Sequence, residues 1–208
     1  MLTVTRLEPQ KKNPQRINVY LDGEYAFGIS RAAAPWLEEG NQLSQEKIND
    51  LKDKDLFEEA YQRALNYLSY RIRSEKEIRL NLQKHQIPEE IIVKVLDRLR
   101  TASLVNDRDF AAQWVENRIQ FKPRGKRALS SELFQKGISN QIIDDVLAEL
   151  DEEDLAFKAA RSKISKLSGL DEKAFHKKLT GYLTRRGFPF HINKEVVAAT
   201  WHEIEKEL

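Results

Sequence analysis

A chain of 208 residues with 33% charged and 40% apolar side chains is long enough to bury a core and has many solvated faces. A net charge of +2 excludes bulk attraction to nucleic acid, and the absence of cysteine excludes disulfides and thiolate metal sites. No apolar run approaches the roughly 20 residues of a membrane span, and the N-terminus lacks a charged-then-apolar signal pattern, so a cytoplasmic protein is expected.

The first 30 residues read as strands. Residues 17–21 alternate apolar and polar, run into Asp22-Gly23, and residues 24–29 alternate again. Asp-Gly between two such runs predicts a hairpin, because both turn positions need positive φ. Residues 4–7 supply a candidate third strand, and an isolated hairpin is marginal in water, so this one is expected to pack on the helices that follow.

From residue 31 the pattern turns helical. Short helices are expected at 31–39, stopped by Gly40, and at 45–53, capped by Ser44. Three triplets follow, near 55–70, 75–85 and 89–101, then 108–121, 126–136 and 140–150, then 152–167, 172–186 and 192–207. Ser74 and Glu77 fit a capping box, and Pro88 suits the first turn of its helix. Asn106 or Asp107 is expected to cap the next triplet, with Gly137, Gly169 and Gly187 as breaks.

The triplets are copies of one another. Leu82, Ile87, Ile91, Ile92, Val95, Leu96 and Leu99 recur 51 positions later as Leu133, Ile138, Ile142, Ile143, Val146, Leu147 and Leu150. A third copy follows at an offset of 50 with Leu183, Gly187, Phe188, Ile192, Val196 and Val197, degenerate where Asn193 replaces an isoleucine. A fixed period of this size means stacked supersecondary units and an extended surface, not a catalytic pocket. The expected architecture is mainly α: tandem three-helix repeats in an elongated, curved array with a small N-terminal β-hairpin subdomain. The boundaries read as 1–54, 55–104, 105–150 and 151–208, the last repeat being divergent.

Charge is nearly balanced in each of these segments, so any phosphate binding must come from local clusters. Cations concentrate at the corner between the first and second helix of a repeat. Arg71 and Arg73 mark it in the first repeat, and Lys122, Arg124, Lys126 and Arg127 in the second. Arg71/Lys122 and Arg73/Arg124 obey the 51-residue offset. Cations beside free N–H groups at a helix start can hold phosphates or partner carboxylates, although solvated corners that compensate helix dipoles look the same in sequence. In the third repeat Lys158, Arg161, Lys163, Lys166, Lys177, Lys178, Arg185 and Arg186 read as spread over helix faces, which is the pattern of solubility.

No enzyme signature is present. His85, His176, His191 and His202 are scattered, no glycine-rich phosphate loop or nucleophile elbow occurs, and no metal or cofactor is expected. Asp144/Asp145 and Glu152/Glu153/Asp154 read as helix-end or solvated carboxylates. Trp36, Trp114 and Trp201 read as core, and so do Tyr67, Tyr70 and Phe121, which flank the basic corners and would otherwise be stacking platforms.

Residues 73–79, the stretch Asn106-Asp-Arg-Asp-Phe-Ala-Ala-Gln-Trp114, Arg118, and Gly125 through Glu132-Leu-Phe-Gln-Lys-Gly-Ile138 together resemble the RecX family of recombination regulators. The resemblance covers roughly 56–205, and residues 20–29 look like the leader of longer members. His85 and Gln86 depart from a more usual Lys-Gly ending, which weakens the expected helix stop. The resemblance implies a non-enzymatic, monomeric protein of DNA repair and the SOS response. Such a protein binds the RecA–single-stranded DNA filament and restrains its ATPase, strand-exchange and coprotease activities. The competing reading, a DNA-binding transcriptional regulator, would need a recognition helix with base-reading side chains. The apolar third helices and Asp144/Asp145 argue against one.

Overall fold

The computed structural model describes residues 1–206, so the last residue of the helix expected at 192–207 lies outside the described residues. Four strands, β1 (Leu2–Gln10), β2 (Asn13–Leu21), β3 (Glu24–Ser30) and β4 (Gln42–Leu43), form an antiparallel sheet in the order β3-β2-β1-β4. Asp22 (φ 50°) and Gly23 (φ 92°) make the expected positive-φ turn between β2 and β3. The sheet exceeds a hairpin because β1 runs the full length of β2 and β4 closes its outer edge. Residues 31–39 form turns and not a helix; Pro35 lies in their middle and cannot donate the N–H that a helix requires there.

Among the described residues nine helices follow: α1 (Gln45–Leu68), α2 (Glu75–Lys84), α3 (Glu89–Thr101), α4 (Asp107–Phe121), α5 (Lys126–Gln135), α6 (Asn140–Leu147), α7 (Glu152–Ile164), α8 (Glu172–Arg185) and α9 (Phe190–Lys206). α1 runs unbroken through residue 54, where the sequence suggested two helices. One helix suffices because it serves two cores in turn. Ile48 and Leu51 pack on Val4, Val19, Phe27 and Ile29 of the sheet, whereas Ala60, Tyr61 and Ala64 pack on Ile78, Leu82, Val95 and Leu99. Between them the buried Asp55 accepts hydrogen bonds from the Ser30 N–H (2.7 Å) and from Arg16 (2.5 Å), which ties the sheet to the helix midpoint. On its outer face Glu58 accepts from Arg98 of α3 at 2.7 Å, and this holds the guanidinium pKa still further above its usual range.

The chain divides into two compact units, residues 1–72 with 78–105, and residues 73–77 with 106 onward. The first holds the sheet, α1, α3 and most of α2; the second holds α4 through α9 and the start of α2.

The copied residues repeat one device, the stop of the middle helix. Ile87 N–H donates to the Leu82 carbonyl, Ile138 to Leu133, and Phe188 to Leu183, each closing its helix with a Schellman-type bond. Gly137 and Gly187 supply the required left-handed residue, and in the first repeat Gln86 takes it at φ 60°. The stop is therefore intact where the sequence suggested weakness, although a side chain in that conformation costs about 1–2 kcal/mol. Asn193, buried where Ile92 and Ile143 stand in the earlier copies, uses its amide to reach the Phe188 carbonyl (3.1 Å) and the Thr184 hydroxyl (3.2 Å).

A second repeated device lies in the second unit, where the start of one middle helix meets the end of the next. The Ser74 hydroxyl donates to the Lys136 carbonyl at 2.7 Å, and the Gly125 N–H donates to the Arg186 carbonyl at 2.9 Å. Next to each, the first residue of a following helix caps the helix start. Asp107 accepts from the Glu75 N–H (2.9 Å) and Glu152 from the Lys126 N–H (2.8 Å). Gly125 is glycine because a Cβ there would lie 2.5 Å from the Gly187 carbonyl oxygen.

Candidate functional site

The corner of the second repeat is built around Glu132 on α5. Its carboxylate, only 15% exposed, accepts from the Trp114 indole N–H (2.7 Å) and Arg118 Nε (2.8 Å) and forms an ion pair with Arg124 Nη1 (2.7 Å). Arg118 also lies over the Trp114 ring at 4.5 Å, and Lys136 lies over it at 5.0 Å while pairing with Glu77 at 2.7 Å. The half-buried Trp114 stacks on Phe110 and belongs to the packing, as expected of it.

The six candidate cations fare differently. Arg124 pairs with Glu132, and the Lys126 Nζ donates to the Ala148 carbonyl at 3.1 Å. Arg71 donates to the Ile72 carbonyl at 2.8 Å, and both Arg71 and Arg73 have further partners. Lys122 and Arg127 are exposed and make no side-chain hydrogen bond or ion pair among the described residues. Of the four clustered cations in the second corner, these two are the ones that reach solvent unengaged.

Of the aromatic residues beside the corners, Tyr67 packs with the core as expected, and Tyr70 and Phe121 do not. Tyr70 is 82% exposed and Phe121 is 66% exposed, while Tyr67 is half-buried against the first-repeat core. Tyr70 and Phe121 are 51 positions apart, the repeat offset, so each of the first two repeats presents one aromatic ring at its corner. They escape burial because they sit where the first helix of the repeat ends and the chain turns away. Trp36, expected in the core, is 47% exposed beside Lys47. Trp201 is half-buried and packs against Phe175 with the rings tilted by 52°.

The third repeat corrects the sequence reading. Lys163, Lys166, Lys177, Lys178 and Arg185 are not dispersed; they line one groove of about 590 Å³ between α7 and α8, with Leu167, Ala174, Gly181 and Tyr182. A signal was available: residues 155–194 contain ten Lys/Arg against two Asp/Glu. Summation over the whole segment hid it, because the acidic residues crowd at 151–154 and 195–207.

The four parts of the chain match four domains of one family: the regulatory protein RecX N-terminal domain over residues 2–43, and the RecX first, second and third three-helix domains over 60–99, 106–147 and 151–197. The regulatory protein RecX of Bacillus subtilis (strain 168) is 32% identical over 210 residues, covering 98% of this chain and 78% of that one. This chain belongs to the RecX family. The regulatory protein RecX of Clostridioides difficile (strain 630) is 29% identical over 199 residues, with 93% of each chain covered. A crystal structure of a regulatory protein RecX superposes with a TM-score of 0.72 at 30% identity, covering 94% of this chain and 98% of that one. The crystal structure of RecX from Lactobacillus salivarius gives a TM-score of 0.62 at 26% identity, over 70% of this chain and 96% of that one. The role of the chain is thus regulatory. Among the described residues no group of three or more His, Asp or Glu is placed to hold a metal ion, and no helix is long and apolar enough to cross a membrane.

Proposed function

We propose that the protein acts without catalysis of its own, binding the RecA–single-stranded DNA filament and restraining its ATPase, strand-exchange and coprotease activities. The observation that carries this reading is the recurring corner: an exposed aromatic ring at the repeat offset, flanked by cations, in each of the first two repeats. A periodic polymer of protein and nucleic acid offers bases and apolar protein surface to the rings, and phosphate or carboxylate to the cations. In the second corner Phe121, Lys122 and Arg127 make the outward contacts, while Arg124 and Lys126 hold the loop that presents them. In the first corner Tyr70, Arg71 and Arg73 play the corresponding part. Near-zero net charge suits a partner that is itself largely protein.

The test is the single-stranded-DNA-dependent ATPase of the matching recombinase, with this protein titrated from well below one per recombinase subunit. Suppression at substoichiometric amounts is expected, and it should be relieved by the combined variant Phe121→Ala, Lys122→Gln, Arg127→Gln. An unaltered ATPase with folded protein present would overturn the reading. The transcriptional-regulator alternative predicts instead a sequence-specific footprint. α6 disfavours it, because Asp144 and Asp145 stand on its exposed face.

A further inference from the structure

We propose that the groove between α7 and α8 of the third repeat binds the phosphodiester backbone of a single nucleic-acid strand, irrespective of base. Five cations line it and no carboxylate does. Lys166, Lys177, Lys178 and Arg185 have no ion-pair partner among the described residues, in contrast to Lys158 and Arg161 nearby, which pair with Asp154 and Glu203. The groove thus concentrates uncompensated positive charge that water and counterions must screen. Release of those counterions to a polyanion drives binding.

The kinds of residue discriminate between possible anions. Four of the five are lysines, which act as point charges, whereas recognition of planar carboxylates on a protein surface favours the arginine fork, and lysine is depleted from protein–protein interfaces. A chain of phosphates, each a diffuse anion at regular spacing, suits mobile ammonium groups better. Gly181 fits the same purpose. Glycine inside a helix costs about 0.5–1 kcal/mol relative to alanine, and here it leaves the groove floor without a side chain, 3.3 Å from Arg185 Nη1 to where a Cβ would stand. Tyr182 gives no base platform. Its ring lies 4.6 Å from the Arg186 guanidinium and 5.3 Å from Lys163 Nζ, and its hydroxyl lies 3.4 Å from that of Ser162. The site therefore follows the backbone and ignores sequence.

The inference rests on the filament reading only for its biological partner, and its test contains no recombinase, so the two fail separately. Binding of the full-length protein to fluorescein-labelled oligo-thymidylate is followed by anisotropy across a salt series. A duplex of equal length and a polyglutamate peptide serve as competitors. Two variants are compared with the parent: Lys166→Gln/Lys177→Gln/Lys178→Gln/Arg185→Gln, and Gly181→Glu, which places a carboxylate on the groove floor. The quadruple variant should bind about tenfold or more weakly at low salt, with a log–log salt slope shallower by about 3, and Gly181→Glu should weaken binding in the same direction. Circular dichroism should show both folded, since the four cationic side chains make no hydrogen bond or ion pair among the described residues. Unchanged oligonucleotide binding in both variants would overturn the proposal. Competition by polyglutamate equal to that by unlabelled oligo-thymidylate would assign the groove to an acidic protein surface, and stronger competition by the duplex would assign it to double-stranded DNA; either overturns the single-strand assignment.

Discussion

Two basic regions of this molecule invert what their sequences advertise. The corner of the second repeat packs four cations into residues 122–127, yet Glu132 and the Ala148 carbonyl engage two of them. The groove of the third repeat draws its five cations from positions scattered over residues 163–185, and no carboxylate among the described residues answers Lys166, Lys177, Lys178 or Arg185. Density along the chain therefore measures how many charges the backbone brings close, while availability depends on which carboxylates the fold brings alongside. A glutamate nearly two helical turns into α5 and one backbone carbonyl engage half of a conspicuous cluster. An inconspicuous set on two helix faces is left whole.

Stability measurements should separate the two regions, because charges used for folding cost stability when removed and charges held free do not. Glu132→Ala should have the largest effect, a loss of about 2–3 kcal/mol by denaturant unfolding, since it strands the Trp114 N–H and two guanidiniums. The same variant should steepen the salt dependence of oligonucleotide binding, because it frees Arg118 and Arg124 and makes the corner resemble the groove. Arg124→Ala should cost about 1 kcal/mol, less than Glu132→Ala, because Arg118 and Trp114 keep their acceptor. In the groove the sign reverses: Gly181→Ala should raise stability by about 0.5–1 kcal/mol, read as a higher midpoint at unchanged slope. Smallest of all, Lys166→Gln or Lys178→Gln should leave the midpoint within about 0.5 kcal/mol. A loss of more than that in either lysine variant would mean that the groove, like the corner, belongs to the folding machinery.

Much of the architecture was legible because periodicity reports burial directly. The apolar copies at 51 and 50 residues are the residues that fill the repeat cores, and Asp22-Gly23 makes the turn its chemistry demands. What could not be read depended on partners distant in sequence. α1 runs through residue 54 because two cores want the same helix, and no local signal says so. Gln86 keeps its helix stop because the Leu82 carbonyl and Ile87 N–H are already aligned, so the missing glycine costs energy and not structure. Tyr70 and Phe121 look like core by type and prove exposed by position, since a residue at the end of a helix or just past it can lie off the buried stripe. The candidate cations could be located in sequence but not sorted into engaged and free, for that sorting is done by Glu132, whose reach across to α4 appears only in three dimensions.

The joint at the start of α5 also bears on how the chain is made. Gly125 offers no side chain to finish that helix; the carboxylate that does so belongs to Glu152, 26 residues downstream of Lys126, whose N–H it accepts. α8 instead is finished by Asp171, the residue immediately before it. A ribosome delivers the N-terminal side first, so α5 emerges with a ragged start that stays open until the next repeat has been synthesised. Closure at the starts of α2 and α5 then runs backwards along the chain, a later segment completing an earlier one. A released chain truncated just before residue 152 should accordingly be nicked by protease near residue 126, and the full-length protein should not.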